Sequence, residues 1–235
     1  MSRSEPLVVV DSETGLSYLS RAAAEPCAAP ALLVMLHGVG SNERNLWPLT
    51  AGLDPRFHVI SLRSAFQHGP DAYGWYRVSF TPSGPVIDGH EALSSLALLT
   101  RFLAALPRRY GLPAQRIYLF GFSQGCSMAY SVALTRPALI GGWVGLGGRI
   151  LPQIQTEAVS AERLAHLSAF IAHGSEDPVI PVASARAARD FLTQAGMPLR
   201  YREYPAGHLI AQVARDDAFA WLTETAFAST QYSAA

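Results

Sequence analysis

The segment that most constrains this chain is Gly121-Phe122-Ser123-Gln124-Gly125, which follows the apolar run Ile117-Tyr118-Leu119-Phe120 and opens a helix-like stretch from Gln124 to about Arg136. A serine between two glycines at a strand-to-helix turn reads as a nucleophile elbow. The turn must be sharp enough to lift the Ser123 hydroxyl above a sheet, and a side chain at either glycine would collide where strand and helix nearly touch. The bland alternative is a structural Gly-Ser-Gly turn, and the surrounding pattern argues against it.

Around the elbow, short β-like runs alternate with helix-like stretches. Strands are predicted at Leu32–Leu36, Phe57–Leu62, Ile117–Phe120, Gly142–Leu146, Ala169–Ala172 and Leu199–Tyr204, after an early hairpin from Leu7–Val10 and Leu16–Ser20. Such alternation predicts an α/β fold with a mostly parallel central sheet and helices on both faces. The clearest helix runs from about Asp88 to Leu106, with Asp88 and Glu91 resembling a capping box and Pro107 expected to end or kink it. Further helices are predicted at about Val182–Ala195, stopped by Gly196 and Pro198, and at about Asp216–Phe227. A chain of 235 residues with 49% hydrophobic content fits one domain over 1–235, with about 1–5 and 229–235 expected to fray.

Two more polar clusters follow strand ends. His173-Gly174-Ser175-Glu176-Asp177-Pro178-Val179-Ile180-Pro181 comes after Phe170-Ile171-Ala172, and Tyr204-Pro205-Ala206-Gly207-His208 closes the last strand. In an open α/β sheet, ligand chemistry collects beyond the carboxyl ends of the strands, so Asp177 and Ser123 should face one rim. Pro178 and Pro181 stiffen the loop around Asp177, which favours it over Glu176 as the acid. A general base for serine must titrate near neutrality within hydrogen-bond reach, which selects histidine. Of seven histidines, His58, His90 and His166 read as half-exposed, His68 as a loop residue and His173 as held in a structural hydrogen bond. His37, before the glycine turn Gly38-Val39-Gly40, reads as scaffolding for an oxyanion hole, which leaves His208 as the base.

The order Ser123, Asp177, His208 is that of α/β-hydrolases. Together with Leu36-His37-Gly38-Val39-Gly40, these motifs resemble the phospholipase/carboxylesterase family, over about residues 30 to 225. That resemblance implies an α/β-hydrolase fold, with the main-chain N–H groups of Val39 and Gln124 receiving the oxyanion and Trp75, in an aromatic pair with Tyr76, lining the substrate pocket; the alternative for such a pair in a loop is hydrophobic cover. Short segments between strands leave no room for a large cap domain, so the site is expected to be a fairly open cleft that also takes in the Gly147–Leu151 loop. Cys126, where the family often has glycine or another small residue, is expected to pack the elbow helix against the sheet.

The function expected is that of a serine carboxylester hydrolase on short- to medium-chain acyl esters, working through an acyl-enzyme with no metal or organic cofactor. Within the class, a thioesterase or lysophospholipase on acylated protein, acyl-CoA or lipid uses the same machinery. Outside it stands a non-catalytic, ligand-binding hydrolase fold, disfavoured because all three triad residues are present. Eighteen basic and eighteen acidic residues balance to zero net charge, which favours neither nucleic acid nor an anionic membrane and fits a small neutral substrate, an ester or thioester. Two cysteines without metal-ligand spacing point to a reducing compartment. The polar start and short apolar runs predict a cytoplasmic protein without membrane insertion, and the family resemblance is compatible with a homodimer.

Overall fold

The computed structural model describes residues 6–81 and 84–227, so the ends expected to fray lie outside the described residues. Along the chain come strands β1 (Val9–Val10), β2 (Ser17–Arg21), β3 (Ala31–Leu36), β4 (Phe57–Leu62), β5 (Phe66–Gly69), β6 (Ala72–Gly74), β7 (Val78–Thr81) and β8 (Gly84–Ile87), then helix α1 (Gly89–Tyr110). Strand β9 (Ile117–Phe122), helix α2 (Gln124–Thr135) and strand β10 (Gly142–Leu146) follow. Two short helices, α3 (Pro152–Thr156) and α4 (Ala161–Leu164), lead to β11 (Ser168–Gly174), α5 (Val182–Gln194), β12 (Leu199–Tyr204) and α6 (Gln212–Phe227).

Eight strands form one sheet in the order β1-β2-β4-β3-β9-β10-β11-β12. Strands β4, β3, β9, β10, β11 and β12 run parallel, and only the β1–β2 hairpin joins antiparallel at the β4 edge. Because side chains alternate along a strand, β3 sends Leu32, Val34 and Leu36 to one core and Leu33 and Met35 to the other. The first core is closed by α1, α2 and α5, through residues such as Leu99, Phe102, Met128 and Leu192. Phe219, Trp221 and Leu222 of α6 close the second. Helices therefore cover both faces, as the alternation predicts.

Two local expectations are corrected. Asp88 caps α1 by accepting from the N–H groups of His90 and Glu91, but the Glu91 carboxylate takes the N–H of Arg77 instead of completing a capping box. The helix also continues past Pro107 to Tyr110. Proline forfeits one helical hydrogen bond, and the continuation is held by Arg109 on Asp11 and by Tyr110 against the core. The stop comes at Gly111, whose left-handed φ of 63° lets its N–H reach the Pro107 carbonyl. Among the described residues, no cap domain interrupts the sheet; the span between β10 and β11 carries only α3 and α4. Nor is any described helix long and apolar enough to cross a membrane.

Candidate active site

Ser123 sits between β9 and α2 with φ of 55°, a strained value for a residue with a side chain. The flanking glycines are there for steric reasons. A Cβ at Gly125 would stand 2.0 Å from the Leu36 carbonyl oxygen, and one at Gly121 would stand 2.4 Å from the carbonyl oxygen of Gly125. Strand β3, the elbow and α2 can meet only without those carbons.

The acid and base loops are joined by main-chain bonds. The N–H of Ser175 donates to the Tyr204 carbonyl at 2.7 Å and that of Glu176 to the Ala206 carbonyl at 3.1 Å. A Cβ at Gly174 would stand 2.2 Å from the Ala206 oxygen, so the two loops touch backbone to backbone. This contact leaves the Glu176 side chain exposed and turns Asp177 inward. Asp177 Oδ1 accepts the N–H groups of Val179 and Ile180, while Oδ2 accepts from His208 Nδ1 at 2.6 Å. His208 Nε2 then faces the Ser123 hydroxyl at 2.9 Å. Burial pushes the Asp177 carboxyl up, but the bonds from His208, Ile180 and Val179 outweigh it and hold the group below the ordinary aspartate value. A buried, ionised Asp177 thus fixes a proton on Nδ1 and leaves Nε2 free to accept.

The glycine turn after β3 abuts the serine: a Cβ at Gly38 would lie 3.3 Å from Ser123 Cβ. His37 anchors the turn from behind. Its Nδ1 bonds the Gly38 carbonyl, its Nε2 accepts the Ser64 N–H, and burial pushes its pKa down to about 4, so it stays neutral. The N–H groups of Gly40 and Ser41 go to the Tyr73 carbonyl, which sets the direction of the turn at Val39. Gln124 opens α2, where an N–H has no intrahelical acceptor. Val39 and Gln124 thus line one cleft together with Ser123.

Trp75 is not a pocket residue. Its side chain is 1% exposed; the indole N–H donates to the His37 carbonyl and the main-chain N–H to Gln124 Oε1, whose amide nitrogen in turn donates to the Tyr76 carbonyl. Trp75 is a buried strut between His37, at the start of the glycine turn, and the first residue of α2. The cleft beside Ser123, about 300 Å³, has apolar walls from Val39, Tyr76, Val78 and Ile180 and polar ones from Arg77 and Arg149. Tyr76 of the aromatic pair and Arg149 of the Gly147–Leu151 loop are among the residues that line this cleft. Residues of the β5–β6 and β7–β8 hairpins, His68, Val78 and Ser79, also line it and were missed. The turn string Pro82-Ser83-Gly84-Pro85 between Val78 and Ile87 was the available signal for the second hairpin.

Cys126 is fully buried against Gly145 and Gly148, and burial pushes its thiol up, which disfavours a thiolate. Among the described residues, no group of three or more His, Cys, Asp or Glu could hold a metal ion.

The sequence matches the family described as Phospholipase/Carboxylesterase over residues 22–224. It is 31% identical over 177 residues to Esterase YpfH of Escherichia coli, covering 72% of this chain and 71% of that protein. It is 26% identical over 195 residues to Acyl-protein thioesterase 1 of Neurospora crassa, covering 76% and 80%. The fold is shared with a Bacillus cereus carboxylesterase at a TM-score of 0.79 and 21% identity, covering 91% of this chain and 96% of that one.

Proposed function

We propose that this chain, which belongs to the phospholipase/carboxylesterase family of α/β-hydrolases, is a serine carboxylester hydrolase whose one domain carries Ser123, Asp177 and His208 as its catalytic triad. The observation that carries the reading is the unbroken line from Asp177 Oδ2 through the imidazole of His208 to the Ser123 hydroxyl, at 2.6 and 2.9 Å. Ser123 attacks the acyl carbon as His208 Nε2 takes its proton, and the Val39 and Gln124 N–H groups meet the charge that develops on the carbonyl oxygen. His208 then returns the proton to the leaving alkoxide. Water, activated by the same imidazole, releases the acid from the acyl-enzyme.

Acyl length follows from space. A cleft of about 300 Å³ accommodates on the order of ten water-sized groups, enough for a short acyl chain and part of its alcohol. Each further methylene gains about 0.8 kcal/mol only while it finds a wall to leave water against. The substrates favoured are short- to medium-chain esters, and relatives named as thioesterases make the thioester the second reading. Two cysteines present as free thiols support a reducing, cytoplasmic setting. The test is kcat/KM for p-nitrophenyl esters from acetate to palmitate beside matching thioesters, with Ser123→Ala as control. A rise over the first carbons that then flattens, abolished with organophosphonate labelling in the variant, is expected; a steady climb to palmitate refutes the acyl-length reading.

A further inference from the structure

Arg149 begins beside the nucleophile. The backbone before it is pressed against Ser123, since a Cβ at Gly148 would stand 2.9 Å from the Ser123 carbonyl oxygen, and the Arg149 N–H faces Ser127 Oγ one turn along α2. Its half-buried side chain lines the cleft and lies near enough to the Tyr76 phenol to bias it electrostatically. Several other arginines are matched by carboxylates, Arg63 by Glu43, Arg109 by Asp11 and Arg186 by Glu203, and Arg116 is taken up by main-chain carbonyls. Among the described residues, no carboxylate stands within ion-pair distance of Arg149, and none lines the cleft. The other arginine there, Arg77, is mostly exposed and leans on Glu91 at 3.5 Å. His68 also lines the cleft, and among the described residues no acidic side chain does. This excess is local, because the chain as a whole carries no net charge.

We propose that the ester hydrolysed here carries an anionic group, a carboxylate or phosphate, and that Arg149 is the specificity-determining residue that binds it. The inference deepens the hydrolase reading of the same site and rests on it. A guanidinium presents a planar fork of donors that matches carboxylate and phosphate oxygens two at a time, and at a half-buried position their attraction is screened less than on the open surface. Arg149 lines the same cleft as Ser123, so an anion it binds shares that cleft with the scissile carbonyl. The apolar walls then hold the remainder of the substrate.

The test uses the full chain and three matched substrate pairs. Mono-p-nitrophenyl glutarate against its methyl ester puts the charge on the acyl side, and 3-carboxyphenyl against 3-carbamoylphenyl butyrate puts it on the leaving group. Decanoyl lysophosphatidate against monodecanoylglycerol supplies a phosphate. Wild type is expected to prefer the anionic member of at least one pair by about 10-fold or more in kcat/KM, chiefly through KM, with the preference shrinking as NaCl is raised. Arg149→Gln should bring that ratio close to one, and Arg149→Lys should keep part of it. Should the glutamine variant fail to fold, the lysine variant and the salt titration of wild type carry the test. No preference in any pair, or the same ratio in both variants as in wild type, overturns the proposal. Hydrolysis of the neutral members by wild type reads the hydrolase assignment separately: cleavage without preference defeats this inference alone, and no cleavage of any member defeats both.

Discussion

Exchanging Asp177 for asparagine removes one charge and almost no volume, and the structure dictates how the new amide must sit. In the first orientation its oxygen keeps the N–H groups of Val179 and Ile180, now at 2.8 and 2.9 Å from Oδ1. Its NH2 then faces His208 Nδ1, which must accept; the imidazole proton moves to Nε2, and the base can no longer take the Ser123 proton. The opposite orientation restores the tautomer but turns the NH2 onto two backbone donors. Leaving a buried donor unpaired costs about 1–3 kcal/mol, so two cost about 2–6 kcal/mol. At about 1.36 kcal/mol per tenfold in rate, the productive arrangement is depleted by roughly 30-fold to 10⁴-fold. Asp177→Asn should therefore lower kcat by a factor in that range, with KM for p-nitrophenyl butyrate little changed. The same variant reports on stability. Because Asp177 is held below its ordinary value of 3.8, its ionised form stabilises the fold above that pH, and the contribution fades as pH falls through the lower folded value. The Tm gap between wild type and variant should narrow below about pH 4. A variant within 10-fold of wild-type kcat, alongside a crippled Glu176→Gln, would refute the assignment of the acid and the argument from amide orientation together.

Val39→Pro deletes the proposed oxyanion donor and should cut kcat at least about 10²-fold, whereas Val39→Ala should be mild; a folded, fully active proline variant, judged by circular dichroism, rules the donor out. Gly125→Ala puts a carbon 2.0 Å from the Leu36 oxygen, so elbow and strand must part by about 1 Å. A displacement of that size costs on the order of 10² in rate, and wild-type kcat with an unchanged Tm would contradict the steric account. Trp75→Ala should destabilise the protein by about 3–5 kcal/mol in denaturant titration and depress turnover of acetate and longer esters alike. A selective loss for longer acyl chains at unchanged stability would return Trp75 to the pocket.

What was legible in the sequence was what local chemistry dictates. The elbow could be read because strand, turn and helix lie within about twenty consecutive residues, and the need for glycine at 121 and 125 arises from contacts within that unit and with the next strand. Asp177 and His208 could be read because each follows an apolar strand, and parallel strands bring their carboxyl ends to one rim whatever the loops do. Helix α1 was legible from the 3.6-residue spacing of Leu99, Phe102, Leu103 and Leu106.

Its end was not, because Pro107 is a local signal overridden by Asp11, nearly a hundred residues earlier in the chain, and by the left-handed turn available at Gly111. Nor could sequence decide which way an aromatic in a loop faces. Trp75 is turned inward by acceptors on His37 and Gln124, 38 and 49 residues away, while its neighbour Tyr76 reaches the cleft. Arg149 reads as one more surface cation until folding sets it among the residues that line the cleft with Ser123, where, among the described residues, no carboxylate lines the wall. Motifs announce what the backbone must do within a few residues; the lining and charge of a cleft are sums over distant segments, and only the packed chain performs that sum.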